Sequence, residues 1–389
     1  MDELKKSGIQ RLYLITYVVT FSIILFFRIS QFGLLMTSAS SKTSWYYILY
    51  TLATFLGIAV NLIVSFLCNF NKLLSIMWAI ILVVISVVPN SFGFSLMSFP
   101  FLLIFLFINN AKFVNPTDLM KCDFWMRVGI FIVTVSMYIF NLYPSGTTVA
   151  VISRSDDLSI LRYSFGFIHA NSLAIFILSM ILSYSMAYIK EKSRKHLVII
   201  SSICVITFIF TDSRVFLGIF PILILALLFY RFSIAKFLVS KITILVITVS
   251  MICGCIYLYL PYLGENLITI LNTITSNRLS IGIQAFEYYP LKWTGYISTP
   301  LLDIYGVNID DMYMAYMLRF GIIGFLVFQG YIYYCGILSK KSNNYLGNIA
   351  MIIISISIIT INSNILLAPM MFIVSTYYNR RETNDEQVE

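Results

Sequence analysis

Four arginines stand beside apolar segments, where a guanidinium is unfavourable unless an anion accompanies it. They are Arg162, Arg214, Arg278 and Arg319. A charge near or within a membrane usually pairs with a partner or marks a pathway. The planar guanidinium fork also binds two phosphate oxygens at once. Converging from different helices, these arginines would form a receptor for a pyrophosphate at the membrane surface. The alternative is that they reach lipid headgroups or pair with Asp156, Asp157 or Asp212.

Polar residues near these arginines could act on an acceptor hydroxyl. Asp310 or Glu287 could orient or deprotonate it, as a general base must, whereas capping of the following helix is the alternative role for Asp310 and Asp311. His169 and Asn171 follow Arg162 along the chain, and either packing or catalysis suits His169. The sequence lacks the HExxH, GxxxxGK[ST] and DxD patterns, so we expect neither a metal nor a cofactor.

The composition defines what must position these residues. Hydrophobic residues make up 59% of the 389-residue chain, charged residues 11%, and the mean hydropathy is +0.89. Average soluble proteins have about 25% charged residues. The sequence therefore predicts an all-α polytopic membrane protein and excludes a soluble enzyme, a disulfide-stapled secreted domain and a nucleic-acid binder.

Apolar runs near the length that crosses a bilayer recur along the chain. They predict about twelve transmembrane helices, with ten to twelve the expected range, in a single integral membrane domain (1–389). The predicted spans are 12–27, 45–67, 74–88, 92–108, 124–143, 166–189, 197–210, 215–230, 242–260, 312–338, 348–361 and 365–378. Arg28 follows the first run without a small-residue cleavage pattern, which favours a retained helix over a signal peptide.

The Lys and Arg residues behind the net charge of +9 are unevenly distributed along the chain, and their distribution predicts the topology. With the N-terminus inside, seventeen of the 26 Lys and Arg residues fall in inner segments, seven in outer segments, and Arg127 and Arg319 within spans. Since cytoplasmic loops are enriched in positive charge, we expect both termini in the cytoplasm. The six cysteines lie in spans or inner loops, so no disulfide framework is expected.

One outer loop, 261–311, is much longer than the others, and long loops commonly carry function. Apolar residues at helical spacing between 267 and 286 predict one or two amphipathic helices on the outer interface. The loop also holds Tyr288, Tyr289, Trp293, Tyr296 and Tyr305. An interfacial aromatic belt and sugar stacking both explain these rings.

At the C-terminal end of the sequence, the composition of 381–389 predicts a disordered cytoplasmic tail.

Four stretches, in this order, resemble the Wzy-type polysaccharide polymerases and, more distantly, the O-antigen ligases. They are RYSFGFIHANSLA (162–174), TDSRVFLGI (211–219), SNRLSIGIQAFEYYPLKWTGYIS (276–298) and NIDDMYMAYMLRFGIIGFLVF (308–328). They resemble the family's RxxxGFxHPN-like start of a span, its SR turn, its Arg-led outer loop and its D-N-x-Y re-entry helix. Ala170 replaces a frequent Pro and Asp311 a frequent Asn, which weakens a role for His169.

The resemblance implies a fold like that of lipid-sugar-dependent membrane glycosyltransferases and a site in the bacterial cytoplasmic membrane. It implies joining of undecaprenyl-pyrophosphate-linked repeat units at the outer face. Arg214 and Arg278 would stabilise the leaving pyrophosphate, and Asp310 or Glu287 would serve the acceptor. The expected substrate-binding residues are Arg162, His169, Asn171, Asp311, Tyr313 and Arg319. A chain-length regulator and a flippase of the same pathway are the expected partners, together with the bilayer and no nucleic acid.

Two alternatives remain. A flippase for lipid-linked repeat units has similar length, but it needs polar residues through the membrane depth, and the unusual charges of this chain gather at the outer face. A ligase would carry a histidine in the long outer loop, and the two histidines of this chain are His169 and His196.

Overall fold

A computed structural model describes residues 3–35, 44–68, 99–143, 163–188, 194–211, 213–230, 232–255, 266, 268–270, 291–293, 312–358 and 367–385. The regular elements in these ranges are helices, and one isolated antiparallel bridge joins Ser30 to Phe167. The predicted all-α class is confirmed for this part of the chain.

The helices follow one another along the chain, with two short turns of other helical types between them. In order they are α1 (Glu3–Thr16), a π-helical turn (Tyr17–Phe21), α2 (Ser22–Ile29), α3 (Phe32–Leu35), α4 (Trp45–Cys68), α5 (Phe99–Asn110), a 3₁₀ turn (Ala111–Phe113), α6 (Pro116–Ile139), α7 (Ala170–Tyr188), α8 (Arg194–Thr211), α9 (Arg214–Phe229), α10 (Ser233–Gly254), α11 (Met312–Lys341), α12 (Tyr345–Ser357) and α13 (Leu367–Asp385).

Six helical segments in the described ranges are long and apolar enough to cross a membrane, which makes the protein a multi-pass membrane protein. They are Ser7–Ile29, Trp45–Cys68, Pro116–Ile139, Ala170–Tyr188, Ser233–Cys253 and Phe320–Lys341. Four further apolar helices are shorter: Leu103–Phe113, Lys195–Thr211, Gly218–Phe229 and Tyr345–Ser357. Eleven predicted spans overlap a helix, and the twelfth, 74–88, lies outside the described residues. The count of twelve stays a prediction.

The outward surfaces of the helices are apolar. Ile132 on α6, Val205 on α8 and Leu245 on α10 are each more than half exposed. An aqueous surface would not carry so many large exposed aliphatic side chains. These faces are suited to contact lipid.

Buried polar side chains join the helices from within. Asn110 at the end of α5 donates through Nδ2 to the Asn61 carbonyl of α4 at 2.9 Å and accepts from Ser65 Oγ at 2.8 Å. Without water as a competitor, such bonds favour close helix association in a membrane. They fix α4 against α5.

Local sequence signals explain where two helices begin. Asn115 precedes Pro116, and its Oδ1 accepts from the amide nitrogens of Thr117 and Asp118 at the start of α6. Asn344 caps α12 in the same manner through Gly347. An asparagine cap with proline at the first helical position is a strong start signal.

Contacts between distant residues group the helix ends. Val114, after α5, accepts through its carbonyl from Ser375 and Asn379 of α13, and Arg380 donates to the Ser342 carbonyl after α11. These residues lie at the end that the charge bias predicts to be inner. We use "outer end" for the opposite end, where α2, α6 and α8 finish and α7 and α9 begin. The helix α13 continues to Asp385, into the segment 381–389.

Candidate functional site

Two of the four stretches meet at the outer end. The amide of Tyr163 donates to the carbonyl of Phe210 at 2.9 Å, which brings the segment before α7 beside the end of α8. The rings of Tyr163 and Phe165 stack 5.7 Å apart, and Phe165 contacts Phe210 edge-on at 5.4 Å. The segment that begins with Arg162 therefore adjoins the turn that leads to Arg214.

A left-handed turn shapes the segment before α7. Phe165 and Gly166 have φ angles of 46° and 89°. The Gly166 carbonyl accepts from the Gln31 amide at 3.1 Å, and the Ile168 amide donates to the Ile29 carbonyl at 2.8 Å. A β-carbon at Gly166 would lie 2.7 Å from the Thr134 carbonyl oxygen. The turn is thus clamped between α2 and α6.

This clamped turn delivers two predicted residues to the start of α7. His169 is exposed, and Asn171, in the first turn of the helix, is half-buried. The His169 carbonyl accepts from the Leu173 amide at 3.2 Å. Both residues stand at the outer end, and their contact with an external substrate stays a prediction.

Nearby, Tyr143 follows α6 and packs against the same turn. Its hydroxyl donates to the Thr134 carbonyl at 3.4 Å, and its ring lies 5.4 Å from that of Phe32. Burial raises the pKa of Tyr143 to about 12. The phenol therefore stays neutral at physiological pH.

The helix α9 begins at Arg214, whose side chain lies outside the described part. Ser213 precedes it in an extended conformation and makes no side-chain cap. Within the described ranges, the Ser213 hydroxyl is buried and has no hydrogen-bond partner. An arginine at the positive end of a helix dipole is electrostatically unfavourable unless an anion is present. Amide groups at a helix start combined with a guanidinium are suited to bind phosphate.

The other two stretches also meet. Within α11, Gly321 adopts φ 70° and ψ −173° and breaks the helical path. The amides of Ile322 and Ile323 then donate to the carbonyls of Lys292 and Trp293 at 3.1 and 3.2 Å. The long outer loop is thus bonded to the break in α11.

The structure describes the other predicted site residues only in part. Arg162, Arg278, Glu287, Asp310 and Asp311 lie outside the described residues, and Tyr313 and Arg319 are described as backbone of α11 alone. Arg319 belongs to the helix α11, two residues before the break at Gly321.

A buried ion pair was not predicted. In α6, Arg127 Nε lies 2.7 Å from Asp123 Oδ2, and the two side chains are 2% and 0% exposed. Tyr17, in the π-helical turn, donates to Asp123 Oδ1 at 2.5 Å, and Ser183 of α7 donates to Oδ2. Arg127 Nη1 donates to Ser179 at 2.9 Å. The pair therefore links α6 both to the π-helical turn that follows α1 and to α7.

The ion pair is buried, but the hydrogen bonding of its guanidinium is incomplete among the described residues. Among the described residues, Arg127 Nη2 has no hydrogen-bond partner. The Phe176 ring lies 5.8 Å from the Arg127 guanidinium carbon. A spacing of four residues between opposite charges inside an apolar run is a signal that sequence reasoning could have used. The predicted span began at 124 and so left Asp123 outside it.

The described residues contain no group of three or more His, Cys, Asp or Glu side chains arranged to hold a metal ion. No family model, curated protein or solved structure matches this chain. The functional proposal therefore rests on the chain's own residues.

Proposed function

We propose that the protein is a polymerase that joins undecaprenyl-pyrophosphate-linked oligosaccharide repeat units at the outer face of the bacterial cytoplasmic membrane. The observation that carries the proposal is the start of α9. There Arg214 stands at a helix N-terminus whose preceding serine provides no cap, beside the segment that follows Arg162.

The chemistry needs an anion site next to a hydroxyl site. The acceptor hydroxyl oxygen forms a bond to the anomeric carbon of the donor, and the bond from that carbon to the pyrophosphate oxygen breaks. The pyrophosphate leaves with the bonding electron pair, and the hydroxyl proton passes to a base. In this proposal Arg214 and Arg278 stabilise the leaving group, Arg162 supports them, and Asp310 or Glu287 receives the proton. Preorganised charge of this kind commonly supplies the largest catalytic contribution.

The aromatic rings at the outer end are suited to hold saccharide. Tyr163 is 40% exposed and stacks on Phe165, and Trp293 of the long loop is 67% exposed. Such rings offer an apolar face with a polar edge. In this proposal they line the approach of the repeat unit to Arg214.

The buried ion pair favours a second candidate, a flippase for lipid-linked saccharides. Asp123 and Arg127 are charges at membrane depth, and such charges often mark a transport pathway. The observation weakens the argument that charge gathers only at the outer face. Against a pathway, the pair is enclosed: Tyr17, Asp123 and Ser183 are fully buried. We therefore retain polymerisation as the first proposal.

The test is to delete the gene and to size and locate the lipid-linked saccharides. Single repeat units that accumulate on the outer face would support the polymerase. Single units on the inner face would support the flippase. Long chains that stay on the lipid carrier would contradict both and indicate a ligase.

A further inference from the structure

The long outer loop is fastened to a break in a membrane helix. We define the clasp as residues 291–293 together with residues 321–323. Its two hydrogen bonds run from the amides of Ile322 and Ile323 to the carbonyls of Lys292 and Trp293. Consecutive residues of one segment thus bond to consecutive residues of the other.

The break itself depends on glycine. Gly321 has φ 70° and ψ −173°, a region that is essentially restricted to glycine. An uninterrupted helix would direct the amides of residues 322 and 323 to the carbonyls four residues earlier. The break turns these amides to the loop instead. Because the segment Phe320–Lys341 is apolar enough to cross a membrane, the amides that the break frees need acceptors within the protein.

The clasp joins the two segments that carry separate halves of the candidate site. Arg319 lies less than one helical turn before Ile322. Glu287 lies five residues before Lys292, so an extended chain places it at most about 18 Å from the clasp. Arg278 is 14 residues away along the sequence and is much less constrained.

We propose that the clasp is a positioning element, with Gly321 as its positioning residue, that holds residues 291–293 of the long outer loop against the outer end of α11. The assignment rests on the proposed function, because that function gives Glu287 and Arg319 a common substrate. The clasp acts through the backbone: it fixes where the loop stands and takes no part in bond making.

The clasp can be tested without any assay of activity. Cysteines at Trp293 and Ile323, with a protease site inserted between Thr299 and Pro300, should form a disulfide under mild oxidation that holds the two fragments together. The matched control pairs Trp293→Cys with Leu326→Cys, one turn further along the exposed side of α11, where we expect little crosslinking. Equal crosslinking of the two pairs, or none in either, overturns the clasp.

Two variants probe the break. Gly321→Ala opposes the positive φ, and Ile322→Pro removes one amide at a position that tolerates proline, the start of a helical segment. Each should lower crosslinking of the 293–323 pair at least fivefold at equal protein level. Unchanged crosslinking in both variants overturns the role of Gly321.

Polymer output then tests whether the clasp positions the long outer loop for the reaction. Polymer output from Gly321→Ala should fall about tenfold at equal protein level. A Lys292→Cys, Ile322→Cys pair, oxidised in that background, should raise the output of the crosslinked fraction above that of the uncrosslinked fraction, with the two fractions separated by thiol affinity. A general folding defect would lower the output of crosslinked and uncrosslinked molecules alike, so equal output from the two fractions overturns positioning. If the unaltered protein makes no polymer, the proposed function fails while the crosslinking result still decides the clasp.

Discussion

The hydroxyl of Tyr17 lies 2.5 Å from the carboxylate of Asp123 and ties the π-helical turn of the first span to α6. The same carboxylate accepts from Arg127 and Ser183. Asp123 is therefore the centre of a polar junction of three helices inside the bundle.

Removal of one charge from this junction should destabilise the protein strongly. Asp123→Leu leaves a buried guanidinium unpaired, which costs about 3–5 kcal/mol. Asp123→Leu combined with Arg127→Met removes both charges and should recover most of that loss. The measurement is denaturant unfolding in detergent. Equal losses in the single and double variants would show that charge pairing is not the reason for the effect.

Gly166→Ala should disrupt the turn before α7. The positive φ alone costs about 1–3 kcal/mol for a residue with a side chain, and the new methyl would clash with the Thr134 carbonyl. Gly129→Ala is the matched control, because Gly129 lies in α6 with no atom near its β-carbon position. Thermal unfolding should separate the two variants, and similar midpoints would contradict the strained turn.

The arginine fork should matter to the reaction. Arg278→Lys and Arg214→Lys keep the charge but lose paired binding of phosphate oxygens, so polymer output should fall at least tenfold. Arg11→Lys, on an exposed position of α1, should leave output unchanged. Output near that of the unaltered protein, at equal expression, would remove the tested arginine from the site.

The orientation in the membrane can be read with cysteine labelling. An impermeant maleimide should label Trp293→Cys in intact cells, because Trp293 is exposed and belongs to the outer loop. Lys340→Cys, exposed at the inner end, should react only after the membrane is opened. Labelling of the unaltered protein measures the background that its native cysteines contribute. The reverse pattern would move the proposed site to the cytoplasm.

Tyr143 should make the protein sensitive to alkali. Its pKa in the folded protein is raised from 10.0 to about 12 by burial, so its stabilising contribution is complete below pH 10 and is lost as the pH rises through 12. As the pH rises from 9 to 12, the thermal midpoint of Tyr143→Phe should fall less steeply than that of the unaltered protein. Parallel curves would show that another group controls the alkaline loss.

The sequence predicted the class and most helix positions, because hydropathy reports burial in lipid directly. It was less accurate at helix starts that carry charge. The helix α10 begins at Ser233 rather than 242, and Lys236 within it lies 5.0 Å from the Tyr230 ring centre. Long lysine stems lie along apolar surface while the ammonium reaches the interface, so a lysine does not end a span.

The candidate site was less predictable. Sequence order suggested that the four stretches belong together, and the bond between Tyr163 and Phe210 joins the first stretch to the residue directly before the second. Gly321 permits the break, but a glycine in an apolar helical run does not by itself predict one, and the residues that accept the freed amides lie 29 residues away along the chain. The Asp123–Arg127 pair was missed because a charge was interpreted as a span boundary.

The π-helical turn at residues 17–21 restricts how the length of the first span can change. Each residue in an α-helix turns the chain by about 100°, and a π turn accommodates one surplus residue without ending the helix. Deletion of one residue from this turn would restore an ordinary α-helical turn and keep the phase between Tyr13 and Phe27, both of which are buried. A deletion elsewhere between them would rotate one side chain by that angle relative to the other. The first span can therefore lose a single residue at this turn and keep its packing, whereas a single loss elsewhere in the span would not.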